Sequence, residues 1–338
     1  MRRSVVVLGF LSFLSCSRRD GCWAGGPHVP GLTEMLREPV TLTGETALPF
    51  PGATAVDDSF LYWLNYDQRT FNRIPKMGGA AQVLASTRSE PRQLQLDEGH
   101  AYWAEDLPQL RAGDRIGAIT RVAKDGGQPA ELARVEGEIT GVAVDQEDVY
   151  FTTWSAVMHV PKTGGTPIKL ASSQWAFAIV ADAQAVYIAD YRAETISRIS
   201  KTDGAMTQLA DRQRGPRSLT ADATSLYWVT YDKRLMRVRK VGGAPAVLLE
   251  DVGVYDACAN AIAVDASDLY VTACCDPGSY AGEIIRVPRG DGTPAILAKE
   301  LYKPCNPVTD DTSVYWSTTT AATAHALLPG GALLKIGK

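Results

Sequence analysis

The stretch AVDDSFLYW, residues 55–63, sets an aspartate, four residues, a tyrosine and a second large apolar residue in order, and this spacing returns six more times. The other copies are QLDEGHAYW (95–103), AVDQEDVYF (143–151), VADAQAVYI (180–188), TADATSLYW (220–228), AVDASDLYV (263–271) and VTDDTSVYW (308–316). Their aspartates, Asp57, Asp97, Asp145, Asp182, Asp222, Asp265 and Asp310, stand 40, 48, 37, 40, 43 and 45 residues apart. Short strands repeating with a period of about 40–45 residues are the mark of a propeller blade. Seven copies predict an all-β fold, a seven-bladed β-propeller of four-stranded blades.

Working outward from each signature, a second pattern follows: NRIPKMGG, TRVAKDGG, MHVPKTGG, SRISKTDG, MRVRKVGG and IRVPRGDG. Alternating residues that end in a basic residue and glycine read as a strand closed by a turn, because glycine accepts the positive φ that tight turns require. Each unit then has strand A ending at the Asp, strand B carrying the Tyr, strand C ending at the basic residue and strand D after the glycines. The last unit stops at GALLKIGK (331–338), which aligns with the strand C of GAITRVAK (117–124), and EPVTLTG (38–44) reads like a strand D placed ahead of the first strand A. Residues 39–43 are therefore expected to complete the last blade and close the ring, replacing a loop constraint with strand pairing.

With YWLN at 62–65, YWAE at 102–105 and YIAD at 187–190, residues 38–338 resemble the YWTD-type and related bacterial repeat propellers. The resemblance implies architecture. It departs from the six-bladed lipoprotein-receptor form with its stricter YWTD, so that form's ligand function is not carried over.

Hydrophobic residues make up 45% and charged residues 21% of the 338-residue chain, with a formal net charge of -4. No apolar run after the leader reaches the roughly 18 residues of a membrane helix. Without a Lys/Arg block there is no footprint for nucleic acid, which needs concentrated positive charge. The opening MRRSVVVLGFLSFLSC (1–16) has a basic start and an apolar run that ends at Ser15 and Cys16. This order fits an export signal over residues 1–15 and resembles the bacterial lipobox, departing from it at Phe13; an ordinary secreted chain cut further on is the alternative. The expected organisation is a signal peptide (1–15), a tether lipid-anchored at Cys16 (16–37) and the propeller (38–338), in an exported protein facing the periplasm or cell surface. A monomer is expected, with the membrane as partner through the lipid anchor alone.

Repeated residues are scaffold. An Asp at the same turn position in every blade is expected to accept turn N–H groups, and the Tyr to pack between blades. The A-to-B and C-to-D turns lie on one face and the B-to-C and D-to-A loops on the other. The count from each Asp to its basic partner is 19, 27, 17, 19, 18, 24 and 28 residues, variation that falls in the B-to-C loops. Variable loops on a rigid scaffold are where function concentrates.

Five residues before each Asp, near the central mouth, stand Gly52, Arg92, Thr140, Phe177, Arg217, Asn260 and Cys305. Arg92, Phe177 and Arg217, with Trp154, Trp175 and Tyr191 from neighbouring loops, form the candidate site for a protein, peptide or saccharide ligand. Cys258, Cys274, Cys275 and Cys305 are expected on the same face as two disulfides, either 274 and 275 each bonding one of the outer cysteines or a vicinal 274–275 bond; a four-thiolate zinc site is the alternative. Cys22 is left over. No G-x-S-x-G, H-E-x-x-H or phosphate-binding glycine motif occurs, so neither a cofactor nor a metal is expected and no residue is assigned as catalytic. The leading reading is a non-catalytic binding propeller; the alternatives are an envelope structural component and a lyase or hydrolase with a metal-assisted site at the mouth.

Overall fold

The computed structural model describes residues 32–43, 48, 51–107, 115–252, 261–274, 281–318, 321–323, 326–328 and 331–338. Each repeat builds one antiparallel sheet. In blade one the strands are Pro51–Val56, Phe60–Asn65, Thr70–Pro75 and Gln82–Ser86. Every strand A touches the strand A of the next blade, and that of blade seven (Pro304–Thr309) touches that of blade one, so the ring is closed around a centre lined by seven A strands.

Why alternating sequences give this arrangement is plain from the Tyr-aromatic pair. Successive side chains of a strand point to opposite faces. Tyr62 therefore packs into the seam with blade two, among Phe71, Leu94 and Trp103, while Trp63 packs into the seam with blade seven, among Leu42, Tyr315 and Leu333. The same division holds for Tyr102 and Trp103, Tyr227 and Trp228, and Tyr315 and Trp316. The described core consists of seven such clusters, one to a seam. Trp63, Trp103, Trp228 and Trp316 are all buried, as scaffold residues should be.

Blade seven joins the two ends of the described chain. Strand Val40–Thr41 lies antiparallel to Ala332–Gly337, with Val40 opposite Lys335 and Thr41 opposite Leu334, and the Leu42 N–H donates to the Leu333 carbonyl at 2.9 Å. The expected closing strand is present, with a shorter ladder than 39–43. Just before it, residues assigned to the tether take up structure: Thr33–Glu34 runs parallel to Ala295 and Ile296, and the N–H groups of Met35 and Arg37 donate to Ile296 and Leu297. The eight-residue outer strand of blade six, Ala295–Tyr302, presents unpaired backbone groups that an extended segment can satisfy. The remainder of the tether, the leader, Cys16 and Cys22 lie outside the described residues.

The turn face carries an ion-pair ring not anticipated from the sequence. Asp57 Oδ1 accepts the N–H groups of Ser59 and Phe60, both at 2.9 Å, and Oδ2 accepts the Tyr62 hydroxyl at 3.0 Å. Lys124, at the end of strand C in the next blade, donates to the same Oδ2 at 2.9 Å. This pairing is repeated by Lys162 with Asp97 (2.6 Å), Lys240 with Asp182 (2.7 Å) and Lys76 with Asp310 (2.7 Å). Lys201 with Asp145, Arg289 with Asp222 and Lys338 with Asp265 complete the circuit. Each basic residue thus reaches back to the preceding blade, and Lys76 of blade one reaches Asp310 of blade seven across the closing seam.

These contacts set the acid and alkaline limits of the fold. Burial pushes the Asp57 carboxyl up, but Lys124, the two turn N–H groups and the Tyr62 hydroxyl together bring it down to about 2. Asp265 is likewise lowered to about 2, the pull of Lys338 and the turn N–H groups exceeding the effect of burial, and Asp97 and Asp310 lie well below the ordinary range. Burial and the neighbouring carboxylates raise Tyr62 and Tyr315 to about 12. A carboxylate whose pKa is lower in the folded state contributes stability present above about pH 4 and lost as pH falls through about 2; a tyrosine whose pKa is raised contributes stability present below about pH 10 and lost towards about 12. The unfolding midpoint is therefore expected to be level from about pH 5 to 9 and to fall on both sides. Equal midpoints at pH 3 and pH 7 would show that the ring contributes nothing.

Candidate functional site

On the opposite face the inner end of strand A is bulged. Register slips between Pro51 and Thr54, Arg92 and Gln95, Ile139 and Gly141, Ala176 and Ala178, Arg217 and Thr220, and Cys305 and Val308. A bulge places two residues of one strand against one of its partner and re-aims their side chains, a device common beside binding sites. Gly52, Arg92, Thr140, Phe177, Arg217 and Cys305 fall within or at the edge of these bulges; Asn260 lies outside the described residues. Polar side chains tie neighbouring blades here, Gln93 to the Thr140 carbonyl (3.1 Å), Thr140 to the Ala176 carbonyl (2.6 Å) and Asn306 to the Gly52 carbonyl (3.1 Å).

The candidate residues divide into two groups. Trp154 and Trp175 stack with ring centroids 4.4 Å apart at 29°, Trp175 meets Tyr191 at 5.2 Å, and Phe177 lies 6.1 Å from Tyr191. The Arg217 guanidinium sits 5.5 Å from the ring centres of both Tyr191 and Tyr231. Five of the six proposed residues are thus brought together across blades three to five. Trp154 is 44% and Tyr231 66% exposed, whereas Arg217 is 8% exposed and supports the rings from below rather than meeting a ligand from solvent. Trp175 holds a φ of 150°, where a bulky side chain is seldom found, with its carbonyl accepting the Tyr191 N–H at 2.9 Å. Strain of this kind is kept where surrounding contacts enforce it, often at binding sites.

Arg92 belongs to the second group. Its partners are Glu138 at 3.1 Å, Asp106 at 3.5 Å and Glu90 at 3.8 Å, and it lies 5.8 Å over the Tyr66 ring. Three carboxylates thus surround Arg92, which stands apart from the aromatic group. Asp106 is pushed up, by burial first and then by Glu138 and Glu90, against the opposing pull of Arg92 and Arg115. Its neighbour Glu105 is fully buried, accepting from the Trp103 indole at 2.7 Å and from Arg88 at 3.0 Å, and is structural. Among the described residues no three His, Cys, Asp or Glu side chains converge as a metal site.

Sequence reasoning missed Tyr231. The signal was available, because Tyr66, Trp154, Tyr191 and Tyr231 each stand four residues after the repeat tyrosine or its equivalent, a column of aromatics at the exit of strand B. Between Tyr191 and Tyr231 opens a cleft of about 350 Å³, lined also by Glu194, Arg214 and Gly215. Gly215 has φ of 62°, and a Cβ there would lie 2.7 Å from the Tyr191 ring, so glycine is what lets the loop pass under that wall. Of the cysteines, Cys305 is buried at the start of strand A in blade seven, while Cys258, Cys275 and the Cys274 side chain lie outside what is described.

Closed ring, seam cores and loop-face bulges define the class: a seven-bladed β-propeller. No family model matches the chain and no curated protein aligns with it. Solved structures share the fold. A streptogramin B lyase structure superposes with a TM-score of 0.65 at 13% identity, covering 89% of this chain and 98% of that one. A nidogen/laminin complex gives 0.51 at 18% identity over 72% of this chain and 98% of that one, and the computationally designed Ika8 protein gives 0.56 at 11% over 88% and 99%. At these identities the likeness is one of architecture.

Proposed function

We propose that the protein is an exported binding propeller, without catalysis, whose loop face over blades three to five holds a protein, peptide or saccharide ligand. The observation that carries this reading is the aromatic group of Trp154, Trp175, Phe177, Tyr191 and Tyr231 supported by Arg217 and opening on a cleft. Stacked rings with a few placed polar groups suit sugars and planar or apolar side chains. The fold neighbours include both a nidogen/laminin complex and a streptogramin B lyase, so the fold is compatible with binding and with catalysis alike. Export with a lipid anchor at Cys16 fits the leader, and an intact mass lacking a diacylglycerol adduct would contradict it. We further propose disulfides among Cys258, Cys274, Cys275 and Cys305 around blade six; the bonded state of the buried Cys305 sulfur supports this.

The second reading, a lyase or hydrolase, is favoured by one observation in blade two: Asp106, raised in pKa, faces Arg92 beside Glu90 and Glu138. Perturbed carboxylates in clefts are candidates for acid and base roles. The two readings separate on one experiment. Calorimetric titration with soluble peptides and oligosaccharides is expected to find a ligand whose affinity falls at least about tenfold, or 1.4 kcal/mol, in Trp154→Ala and Tyr231→Ala. Tyr231 is mostly exposed, so Tyr231→Ala is expected to change the unfolding free energy by no more than about 0.5 kcal/mol, and Trp154→Ala, which loses the stack on Trp175, by about 1 kcal/mol. Retained binding in both variants, with loss in Asp106→Asn, would transfer the site to blade two.

A further inference from the structure

The cleft between Tyr191 and Tyr231 holds two opposite charges that do not neutralise each other. Glu194 and Arg214 both line it, and among the described residues neither side chain makes an ion pair or side-chain hydrogen bond. Their backbones are nevertheless fixed: the Glu194 carbonyl accepts the Gln213 N–H and the Arg214 carbonyl the Tyr231 N–H, each at 2.9 Å. Glu194 and Arg214 also hold left-handed φ angles of 57° and 32°. The anchors of both charges, and of the Tyr231 wall, are therefore set before any ligand arrives, which reduces the ordering cost of binding.

We propose that this cleft takes a small zwitterion bearing an apolar side group, the chemistry of a free α-amino acid. This rests on the binding reading above and names its ligand class. A guanidinium matches a carboxylate with two parallel hydrogen bonds. Arg214 supplies that group. Glu194 on the same lining would repel a simple anion but pairs with an ammonium. The two tyrosines flank the side group in a shallow cleft of about 350 Å³ that opens to solvent. An uncharged saccharide would leave both charges unpaired, and a dianion would face Glu194.

The test is calorimetry on the full chain with three probes: L-phenylalanine, N-acetyl-L-phenylalanine, which lacks the ammonium, and L-phenylalanine amide, which lacks the carboxylate. L-phenylalanine is expected to bind, with each derivative at least about tenfold weaker, the step that losing one charge-assisted contact produces. Glu194→Gln is expected to weaken L-phenylalanine about tenfold and to leave the N-acetyl derivative unchanged; Arg214→Gln is expected to do the same with respect to the amide. Both residues are exposed, so unfolding midpoints serve as the folding control. Three probes binding equally, or variants that do not alter the discrimination, would overturn the proposal. If no probe binds while a peptide or oligosaccharide still binds in a Trp154-dependent manner, the zwitterion falls and the wider binding reading stands. If nothing binds at this face, both fall.

Discussion

Deleting residues 38–43 is expected to remove more stability than any other change considered for this protein. Leu42 is 3% exposed and packs with Leu61, Trp63 and Ile74 of blade one and with Tyr315 and Leu333 of blade seven, so the lost segment opens a seam and not merely an edge. A buried Leu replaced by Ala alone costs about 2–5 kcal/mol. The deletion also strips the ladder partners of Leu334 and Lys335 and the acceptor role of the Leu333 carbonyl. Strand C of blade seven then becomes an open edge. Denaturant unfolding is expected to show a loss of at least about 4 kcal/mol, with Leu42→Ala accounting for about half. An unchanged midpoint would mean that the ring does not depend on pairing between these distant segments.

The second large effect is expected at a single ring aspartate. Asp97 Oδ1 accepts the N–H groups of Gly99 (2.9 Å) and His100 (2.7 Å), and Oδ2 accepts the Tyr102 hydroxyl (2.7 Å) and the Lys162 ammonium (2.6 Å). Asp97→Ala removes the turn acceptor and leaves a part-buried hydroxyl and ammonium without their partner. Hydrogen bonds of this kind are worth about 1 kcal/mol each, and the part-buried, solvent-edged ion pair about 1 kcal/mol. The expected loss is about 3 kcal/mol by denaturant unfolding. Asp97→Asn keeps an acceptor for the turn and is expected to cost about 1 kcal/mol, and a double-mutant cycle with Lys162→Met isolates the ion pair. Equal stability of Asp97→Ala and the parent would rule out the ring as a structural device.

The same ring shows where sequence reading succeeded and stopped. The Asp and Tyr spacing was legible because a turn acceptor and a seam residue must recur wherever the blade recurs. Lys76, Lys124, Lys162, Lys201, Lys240, Arg289 and Lys338 were equally visible as a repeated column, but they read as strand ends. Their partners are one blade back, some 50–70 residues away for most, and such a pairing follows from ring geometry rather than from local pattern. The closing strand at Val40–Thr41 was legible from the missing strand D; the added strand Thr33–Glu34 was not, because it lies in the segment assigned to the tether and carries no part of the blade repeat.

At the site, the residues that break the repeat proved informative, since Trp154, Trp175, Phe177, Tyr191 and Arg217 do meet in space. Arg92 meets three carboxylates, Glu90 just ahead of strand A of blade two, Asp106 on its strand B and Glu138 just ahead of strand A of blade three, whose convergence no linear spacing reveals. Burial of Arg217 beneath two tyrosines was hidden for the same reason.

The claim that the loop face of blades three to five is the working surface is tested most directly by amide hydrogen exchange with and without the tightest ligand from the titration panel. Protection is expected in residues 173–176, 191–194 and 211–217, with the turns at 57–60, 97–100 and 145–148 on the opposite face unchanged. Protection confined to those turns, or to the Arg92 group of blade two, would contradict the account.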